Sequence, residues 1–340
     1  MGATAPAPSI GTSLSGLVAF GDGAALIAAS FTEEPTVCAL DIGTNGSLAA
    51  TPLRPPRSLG LDAAWISVPE HVSFPTADGE SAHGFFYRPA HPEVSGPGGE
   101  LPPLLVVIHG GPTSAARPML QLSVQYWTSR GIAVLDVNYR GSTGYGRAFR
   151  QALAGRWGVA DVEDCVAGAR WLAERGDVDG ARLAIRGGSA GGFTTLCALV
   201  FHDLFSAGAS LYGVTDLEAL ARDTHKFESR YLDGLVGPYP ERRDLYVERS
   251  PINHVERLRT PLIIFQGLED EVVPPAQAET LVAALRANRV PFAYVPFEGE
   301  QHGFRRAENI RRVLAAELFF YGRVFGFDAS DAELVPIENA

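Results

Sequence analysis

Beyond residue 103, short continuous apolar runs alternate with segments of helical periodicity. Six apolar runs are candidate strands, at residues 104–108, 132–137, 182–186, 207–212, 261–266 and 291–297. Apolar residues recur at helical spacing at positions 162, 165, 166, 169, 172 and 173, and again at 278, 281, 282 and 285. The first helical stripe opens with acidic residues at 161, 163 and 164. Buried strands alternating with crossover helices predict an α/β fold with a mostly parallel sheet covered on both faces.

Residues 14–68 have a different pattern of short β-prone runs. Tight turns are predicted at Asp22-Gly23 and Asn45-Gly46. This pattern predicts a small antiparallel sheet, and four strands at most cannot close a barrel or a propeller. A further hairpin is expected over 72–86 around Asp78-Gly79, followed by an exposed Pro/Gly-rich loop at 93–103.

Composition narrows the class of protein. The 340 residues are 46% hydrophobic and 20% charged, as expected of a folded chain, and 28 basic against 39 acidic side chains give a net charge of −11. This balance argues against nucleic acid and anionic membranes as partners. Three widely spaced cysteines predict neither a disulfide framework nor a zinc site, and no export signal is visible at the N-terminus. We therefore expect a cytoplasmic protein.

The strongest chemical signal is the pattern G-x-S-x-G centred on Ser189, between a predicted strand and a predicted helix. In that context it predicts a nucleophile elbow, in which a strained turn exposes the serine hydroxyl above the sheet. The competing interpretation is that small residues only allow tight strand-to-helix packing, and the strand–turn–helix context argues against it.

A serine nucleophile needs a base to take its proton. In folds with a nucleophile elbow the partners come later in the chain, first the acid and then the histidine. Four of the eight histidines follow the elbow: His202, His225, His254 and His302. Only His302 lies in a loop just beyond the last predicted strand, at the carboxyl edge where α/β sheets bind ligands. His302 is therefore the predicted base, although a lone loop histidine is usually only a solvated side chain.

The acid is expected just past the preceding strand, where Glu269, Asp270 and Glu271 lie. The shorter Asp270 is favoured to hold the imidazole, with Glu269 as its competitor. For the oxyanion, the residue after the nucleophile, Ala190, supplies one backbone N–H, and Gly110 or Gly111 in His109-Gly-Gly-Pro112 supplies the second.

Five motifs in this order resemble the prolyl oligopeptidase family of serine peptidases, over residues from about 66 to 327. They are His109-Gly-Gly-Pro112, Asn138-Tyr-Arg-Gly-Ser-Thr-Gly-Tyr-Gly146, Gly187-Gly-Ser-Ala-Gly-Gly192, Gln266-Gly-Leu-Glu-Asp270 with Val273-Pro274, and Gly299-Glu-Gln-His-Gly-Phe304. The resemblance is strongest to the dipeptidyl-peptidase and acylaminoacyl-peptidase-like branch, which includes bacterial aminopeptidases of the puromycin-hydrolase type.

The resemblance implies roles for individual residues. Ser189 would be the nucleophile, Asp270 the acid in preference to Glu269, and His302 the base. Gly111 and Ala190 would form the oxyanion hole. No metal or organic cofactor is implied.

Two departures from the family pattern matter. Many relatives carry an arginine two residues after the acid, where this chain has Val272. The family also has an N-terminal β-propeller of seven or eight blades, whereas residues 14–68 amount to about one blade. The predicted division is therefore a propeller remnant at 1–68, an α/β-hydrolase catalytic domain at 69–327 and a C-terminal tail at 328–340.

Two further residues are candidates for substrate binding. Glu228, in a stretch from 223 to 231 that resembles aminopeptidase-like members, is a candidate partner for a substrate's free amino terminus. A pair with Arg230 is the alternative role for this carboxylate. Tyr139, in the second motif, is the other candidate.

The predicted function is hydrolysis of short peptides or aminoacyl amides through an acyl-enzyme. A carboxylesterase acting on small esters is the alternative within the same fold. An alternative of another class is a catalytically silent fragment whose exposed apolar face serves dimerisation or binding. A homodimer is a further expectation.

Overall fold

Twelve strands and nine helices are defined in the computed structural model, which describes residues 11–43, 47–223, 226 and 228–340. The strands are β1 (Ser13–Phe20), β2 (Gly23–Ala29), β3 (Thr36–Ile42), β4 (Leu48–Pro52), β5 (Glu70–Pro75), β6 (Ser81–Tyr87), β7 (Leu104–Ile108), β8 (Ala133–Asn138), β9 (Leu183–Gly188), β10 (Ala207–Leu211), β11 (Leu262–Gly267) and β12 (Phe292–Phe297). The helices are α1 (Leu122–Thr128), α2 (Gly146–Gln151), α3 (Ala160–Glu174), α4 (Ala190–Phe201), α5 (Leu217–Asp223), α6 (Tyr231–Leu235), α7 (Arg243–Arg249), α8 (Pro275–Ala287) and α9 (Ala307–Phe325). Short 3₁₀ helices lie at Ala63–Trp65, Ala77–Gly79 and Pro251–Arg257.

The described chain divides into two compact units. The smaller contains the described residues up to Glu70 with Tyr87–Ser95 and Arg117–Gly131, and the larger contains His71–Phe86, Gly96–Ala116 and Ile132–Ala340. The domain boundaries predicted from the sequence, after residues 68 and 327, stay a prediction. Among the residues described, no helix is both long enough and apolar enough to cross a membrane.

Strands β1 to β4 of the smaller unit form the predicted antiparallel sheet, in the order β1-β2-β3-β4. The first turn differs from the prediction by one residue. Phe20 pairs with Gly23, so the turn residues are Gly21 and Asp22, and Gly21 takes the positive φ of 58° that glycine allows. The second predicted turn, Asn45-Gly46, lies outside the described residues.

The larger unit contains most of an eight-stranded sheet in the order β12-β11-β10-β9-β7-β8-β6-β5. Strands β7 to β12 correspond to the six predicted apolar runs, and their pairings are parallel. The prediction of a mostly parallel α/β sheet is confirmed. The hairpin predicted around Asp78-Gly79 is also present as β5 and β6, with Asp78 and Gly79 both at positive φ.

Helices α3 and α8 place the predicted apolar stripes in the core. Residues 162, 165, 166, 169 and 172 of α3 are buried, as are 278, 281, 282 and 285 of α8. Two acidic residues in the first turns of α3 are buried rather than solvated. Asp161 accepts hydrogen bonds from the Gly158 N–H at 2.7 Å and the Thr194 hydroxyl at 2.5 Å, and Asp164 pairs with buried Arg140 at 2.8 Å. These carboxylates fasten α3 to neighbouring segments.

Candidate active site

Ser189 lies in the sharp turn between β9 and α4. Its φ of 57° and ψ of −121° are rare for a residue with a side chain and cost on the order of 1–3 kcal/mol. The backbones around it approach closely: a Cβ on Gly187 would lie 2.3 Å from the Gly191 carbonyl carbon, and one on Gly191 would lie 2.5 Å from the Ile108 oxygen. The strand–turn–helix geometry therefore depends on glycine at both positions, as the elbow interpretation requires.

His302 links the elbow to the acidic loop. Its Nε2 lies 2.9 Å from the Ser189 Oγ, and its Nδ1 lies 2.8 Å from the Asp270 Oδ2. With Nδ1 protonated toward the carboxylate, Nε2 is free to accept the serine proton. The structure thus brings together the residues predicted as nucleophile, base and acid, and the hydrogen-bonded path is continuous from hydroxyl to carboxylate.

Asp270 is held by backbone amides just after β11. Its Oδ1 accepts hydrogen bonds from the N–H groups of Val272 at 2.8 Å and Val273 at 2.9 Å. The residue is 3% exposed, whereas its neighbours Glu269 and Glu271 are solvent-exposed. Of the three candidate acids, the structure therefore buries only Asp270 beside His302.

The loop that carries His302 is closed by a carboxylate that the sequence analysis did not single out. Glu300 is 2% exposed and accepts hydrogen bonds from the Arg305 and Arg306 N–H groups, each at 3.0 Å, and from the Asn309 side chain at 2.8 Å. Burial alone would raise the pKa of Glu300, but these hydrogen bonds and the charge of Arg306 outweigh it and lower that pKa. The carboxylate therefore ties both ends of the loop together around His302.

Tyr212 is a second site residue missed from the sequence. Its ring packs edge-on against His302 at 5.0 Å and against Phe304 at 5.2 Å, counted between ring centroids. Tyr212 directly follows β10 at the carboxyl edge of the sheet, and that position was the available signal. Burial raises the pKa of its phenol, so the ring supports the imidazole as a neutral apolar surface.

Gly111 and Ala190 line the same cavity as Ser189 and His302. Gly111 has a φ of 124°, and a Cβ there would lie 2.9 Å from the backbone nitrogens of both Thr113 and Ser114. This turn can therefore be made only by glycine. Ala190 is the first residue of α4, where backbone N–H groups have no helical acceptor.

The cavity in front of Ser189 has a volume of about 310 Å³ and mainly apolar walls. Its lining residues are Gly111, Pro112, Trp157, Ser189, Ala190, Val214, Leu220, Glu228, Tyr231, Leu232, Val272, Val273 and His302. Val272 lines it where many relatives carry arginine, so this part of the wall is apolar. Glu228, by contrast, places a carboxylate within this largely hydrophobic lining.

Glu228 is partly exposed and lines this cavity. Arg230, considered above as its partner, is bonded to Asp233 with 2.7 Å between Nε and Oδ2. Thr224, His225 and Phe227 of the same stretch lie outside the described residues.

Tyr139 is placed differently from the substrate contact expected of it. The residue is 0% exposed, and its hydroxyl donates to the Pro112 carbonyl oxygen at 2.6 Å. Its ring stacks on His109 with 4.4 Å between centroids. Because Tyr139 is fully covered and its hydroxyl is committed to the backbone, it supports the loop behind the cavity and the substrate-binding prediction for it is wrong.

The other histidines that follow the elbow lie elsewhere. His254 bonds the Glu248 carbonyl at 2.8 Å, and His202 lines a separate cleft beside α3 with Trp171. His225 is outside the described residues. Within the described parts of the chain, no group of three or more His, Cys, Asp or Glu side chains is arranged to hold a metal ion.

Comparison with known proteins gives consistent matches. Residues 118–328 match the model of the prolyl oligopeptidase family. A crystal structure of puromycin hydrolase is 46% identical, with a TM-score of 0.90 over 94% of this chain and 48% of that chain. A puromycin-hydrolyzing peptidase from Mycobacterium tuberculosis is 45% identical, with a TM-score of 0.90 over 95% and 49%.

A curated relative extends the comparison. Dipeptidyl aminopeptidase BIII from Pseudoxanthomonas mexicana is 33% identical over 230 residues, which are 66% of this chain and 33% of that protein. The chain therefore spans about half of the solved structures and one third of this curated relative.

Proposed function

Because the chain belongs to the prolyl oligopeptidase family, we propose that it is a serine peptidase that hydrolyses short peptides or aminoacyl amides. The observation that carries this proposal is the continuous hydrogen-bonded path from Ser189 through His302 to Asp270 at the mouth of the cavity. A serine hydroxyl becomes an effective nucleophile at neutral pH when an adjacent base takes its proton and a third group orients that base.

The proposed reaction uses these groups in sequence. His302 Nε2 accepts the Ser189 proton as Oγ attacks the substrate carbonyl, and the N–H groups of Gly111 and Ala190 donate to the oxyanion. The intermediate collapses when the imidazolium gives that proton to the departing amine. Water then attacks the acyl-serine by the same route, releasing the acid and restoring Ser189. Asp270 stabilises the imidazolium in both halves.

The substrate class follows from the cavity and from similar proteins. A volume of about 310 Å³ suits one side chain, and the apolar walls suit a hydrophobic one. Two relatives named for puromycin hydrolysis support an aminoacyl amide as substrate. We propose that Glu228 binds the free amino terminus, which would favour release of N-terminal residues.

Replacing the nucleophile tests the proposed mechanism. In Ser189→Ala, turnover of an aminoacyl p-nitroanilide should fall by at least about 10³-fold, because no acyl-enzyme can form. Ser330→Ala, which changes an exposed serine near the C-terminus, is the matched control and should keep full activity. Unchanged turnover in Ser189→Ala would refute the mechanism.

Glu228→Gln tests the proposed substrate specificity. With a free amino terminus on the substrate, KM should rise about tenfold, because a charge-assisted hydrogen bond becomes a neutral one. The same substrate with an acylated amino terminus should show little change. Equal effects on both substrates would mean that Glu228 does not recognise the amine.

We also propose a cytoplasmic homodimer. All three cysteines are buried free thiols, which suits a reducing compartment. Strand β1 exposes Leu17, Val18 and Phe20, each more than 60%, and apolar surfaces of this kind commonly become interfaces. A light-scattering mass of two chains is expected, and a monomer at high concentration would contradict the dimer.

A further inference from the structure

A second cavity, which we call the side cavity, has a volume of about 430 Å³ and adjoins the cavity in front of Ser189. Its walls combine the buried apolar residues Leu153 and Leu235 with the exposed polar residues Thr143 and Arg150. None of these four residues has a part in the proposed reaction. The side cavity is therefore a surface beside the reacting groups that the mechanism leaves unexplained.

The two cavities share one wall. Tyr231 lines both, and its hydroxyl lies 2.8 Å from the Thr113 Oγ1 and 3.2 Å from the Gly111 carbonyl oxygen. Gly111 and Pro112 line the cavity in front of Ser189, whereas Thr113 lines the side cavity. The turn that carries the proposed oxyanion donor thus separates them, and a substrate carbonyl held by that donor would lie at their boundary.

Arg150 gives the side cavity a cation that is not neutralised. Its side chain extends from α2 into solvent, and within the described parts of the chain it has neither an ion pair nor a hydrogen bond. Arg156, further along the chain, is instead paired with Asp78 at 3.2 Å and with Glu163 at 3.1 Å. A guanidinium presents a planar fork of donors that matches a carboxylate. The chemical complement of the side cavity is therefore a carboxylate attached to an apolar group.

The proposed substrate has a carboxylate on only one side of the scissile bond. Its acyl part ends at the free amino terminus, for which Glu228 in the cavity in front of Ser189 is the proposed partner. The chain of such a substrate continues only beyond the scissile bond, into the leaving part. When the substrate is a peptide, that leaving part ends in a carboxylate.

We propose that the side cavity binds the leaving part of a peptide substrate and that Arg150 pairs with its C-terminal carboxylate. Leu153 and Leu235 provide apolar contact for the same segment. The inference rests on the proposed function and narrows its substrate class to short peptides with a free C-terminus, in preference to the same peptides blocked there as amides.

Paired substrates test this assignment. Phe-Gly, Phe-Gly-Gly and Phe-Gly-Gly-Gly are compared as free acids and as C-terminal amides. At the length that reaches Arg150, wild type should favour the acid in kcat/KM by about three- to tenfold, the size expected of one partly exposed ion pair. Arg150→Gln should lower kcat/KM for the acid to that for the amide and change the amide by less than about twofold.

Arg147→Gln is the matched control. Arg147 lies on the same helix and is exposed, but it does not line the side cavity, so this variant should keep the preference for the acid. Equal hydrolysis of acid and amide by wild type at every length would overturn the proposal. It is also overturned if the two variants weaken the acid equally, or if Arg150→Gln loses activity on the acid and the amide alike.

Binding separates this inference from the proposed function. In Ser189→Ala, calorimetry should show the acid binding more tightly than the amide by the same factor, and adding Arg150→Gln should remove the difference. If wild type hydrolyses an aminoacyl p-nitroanilide but no acid preference appears in binding, the side-cavity assignment alone fails. If wild type neither hydrolyses the anilide nor reacts with a fluorophosphonate, the serine peptidase proposal fails, whatever the binding shows.

Discussion

Two loops of the candidate site are held in opposite ways. The turn at 109–113, which carries the proposed oxyanion donor, is fixed through its carbonyl oxygens by His109, Tyr231 and Tyr139. The loop at 299–306, which carries the proposed base, is fixed through its N–H groups by the single carboxylate of Glu300.

The difference matches what each loop has to offer a substrate. Occupying the carbonyls of the first turn leaves N–H groups to face an oxyanion, and the close backbone approach at Gly111 admits no side chain to cover them. In the second loop the N–H groups of Arg305 and Arg306 donate to Glu300. This loop therefore offers the substrate the His302 side chain and not its backbone donors. In both loops a buried polar side chain determines which backbone groups remain available.

The largest effect is expected from a substitution that weakens the pairing of His302, in the second loop, with Asp270. In Asp270→Asn the amide would favour the wrong imidazole tautomer, and kcat should fall by about 10⁴-fold with the fold intact. Glu269→Gln, one residue away and exposed, is the control and should change kcat less than about twofold. Equal losses of kcat in the two variants would show that Asp270 is not the acid of the triad.

Gly111→Ala should break the first turn. The added Cβ would lie 2.9 Å from two backbone nitrogens at a φ of 124°, so the turn must move and the donor with it. We expect kcat to fall about 10²- to 10³-fold, as when one oxyanion donor is lost. Gly303→Ala in the second loop has a φ of 91° but open space around it, and should cost at least tenfold less activity. A reversal of that order would contradict the proposed role of Gly111.

Glu300→Gln weakens the clamp of the second loop. The amide NH₂ would face backbone N–H donors, which should destabilise the protein by about 1–3 kcal/mol and lower kcat about tenfold. Chemical unfolding and steady-state kinetics measure the two effects, and Glu298→Gln is the exposed control. Wild-type kinetics at reduced stability would show that the carboxylate supports the fold but not the placement of His302.

The smallest expected effect is a difference between the two loops in how acid changes the stability of the fold. Burial lowers the pKa of His109 to about 4. The stability that the neutral imidazole contributes is therefore complete above the unfolded pKa and is lost as pH falls from about 6.5 to about 4. The Glu300 pKa is lowered too, and that contribution is lost only as pH falls below the ordinary range of a glutamate. Between pH 7 and pH 5 wild type should lose about 1–2 kcal/mol more unfolding free energy than His109→Asn. Parallel stability profiles for the two proteins would contradict this assignment.

The G-x-S-x-G pattern selected Ser189, and chain order with strand ends selected His302 and the acidic loop at 269–271, because the carboxyl ends of parallel strands meet at one edge of the sheet. The choice of Asp270 over Glu269 came from the family resemblance. The six strands after residue 103 were predicted because each is a continuous apolar run between helices. The serine, acid and histidine therefore carry a signal that is local in sequence.

The supports of these residues could not be predicted because their partners are set by tertiary packing. His109 meets Ser142 across 33 positions, and whether Tyr139 faces the cavity or the Pro112 carbonyl depends on how two loops pack. Glu300 resembles any exposed loop glutamate until the backbone turns its amides inward. Motif matching found Tyr139 but could not say which way its ring points.

The most direct measurement is mass spectrometry of the intact chain after reaction with a fluorophosphonate. We predict one adduct per chain, located on Ser189 and lost in both Ser189→Ala and His302→Ala, because only a hydroxyl paired with a base reacts rapidly. A folded wild-type chain that remains unmodified at Ser189 would contradict the account and favour a catalytically silent protein.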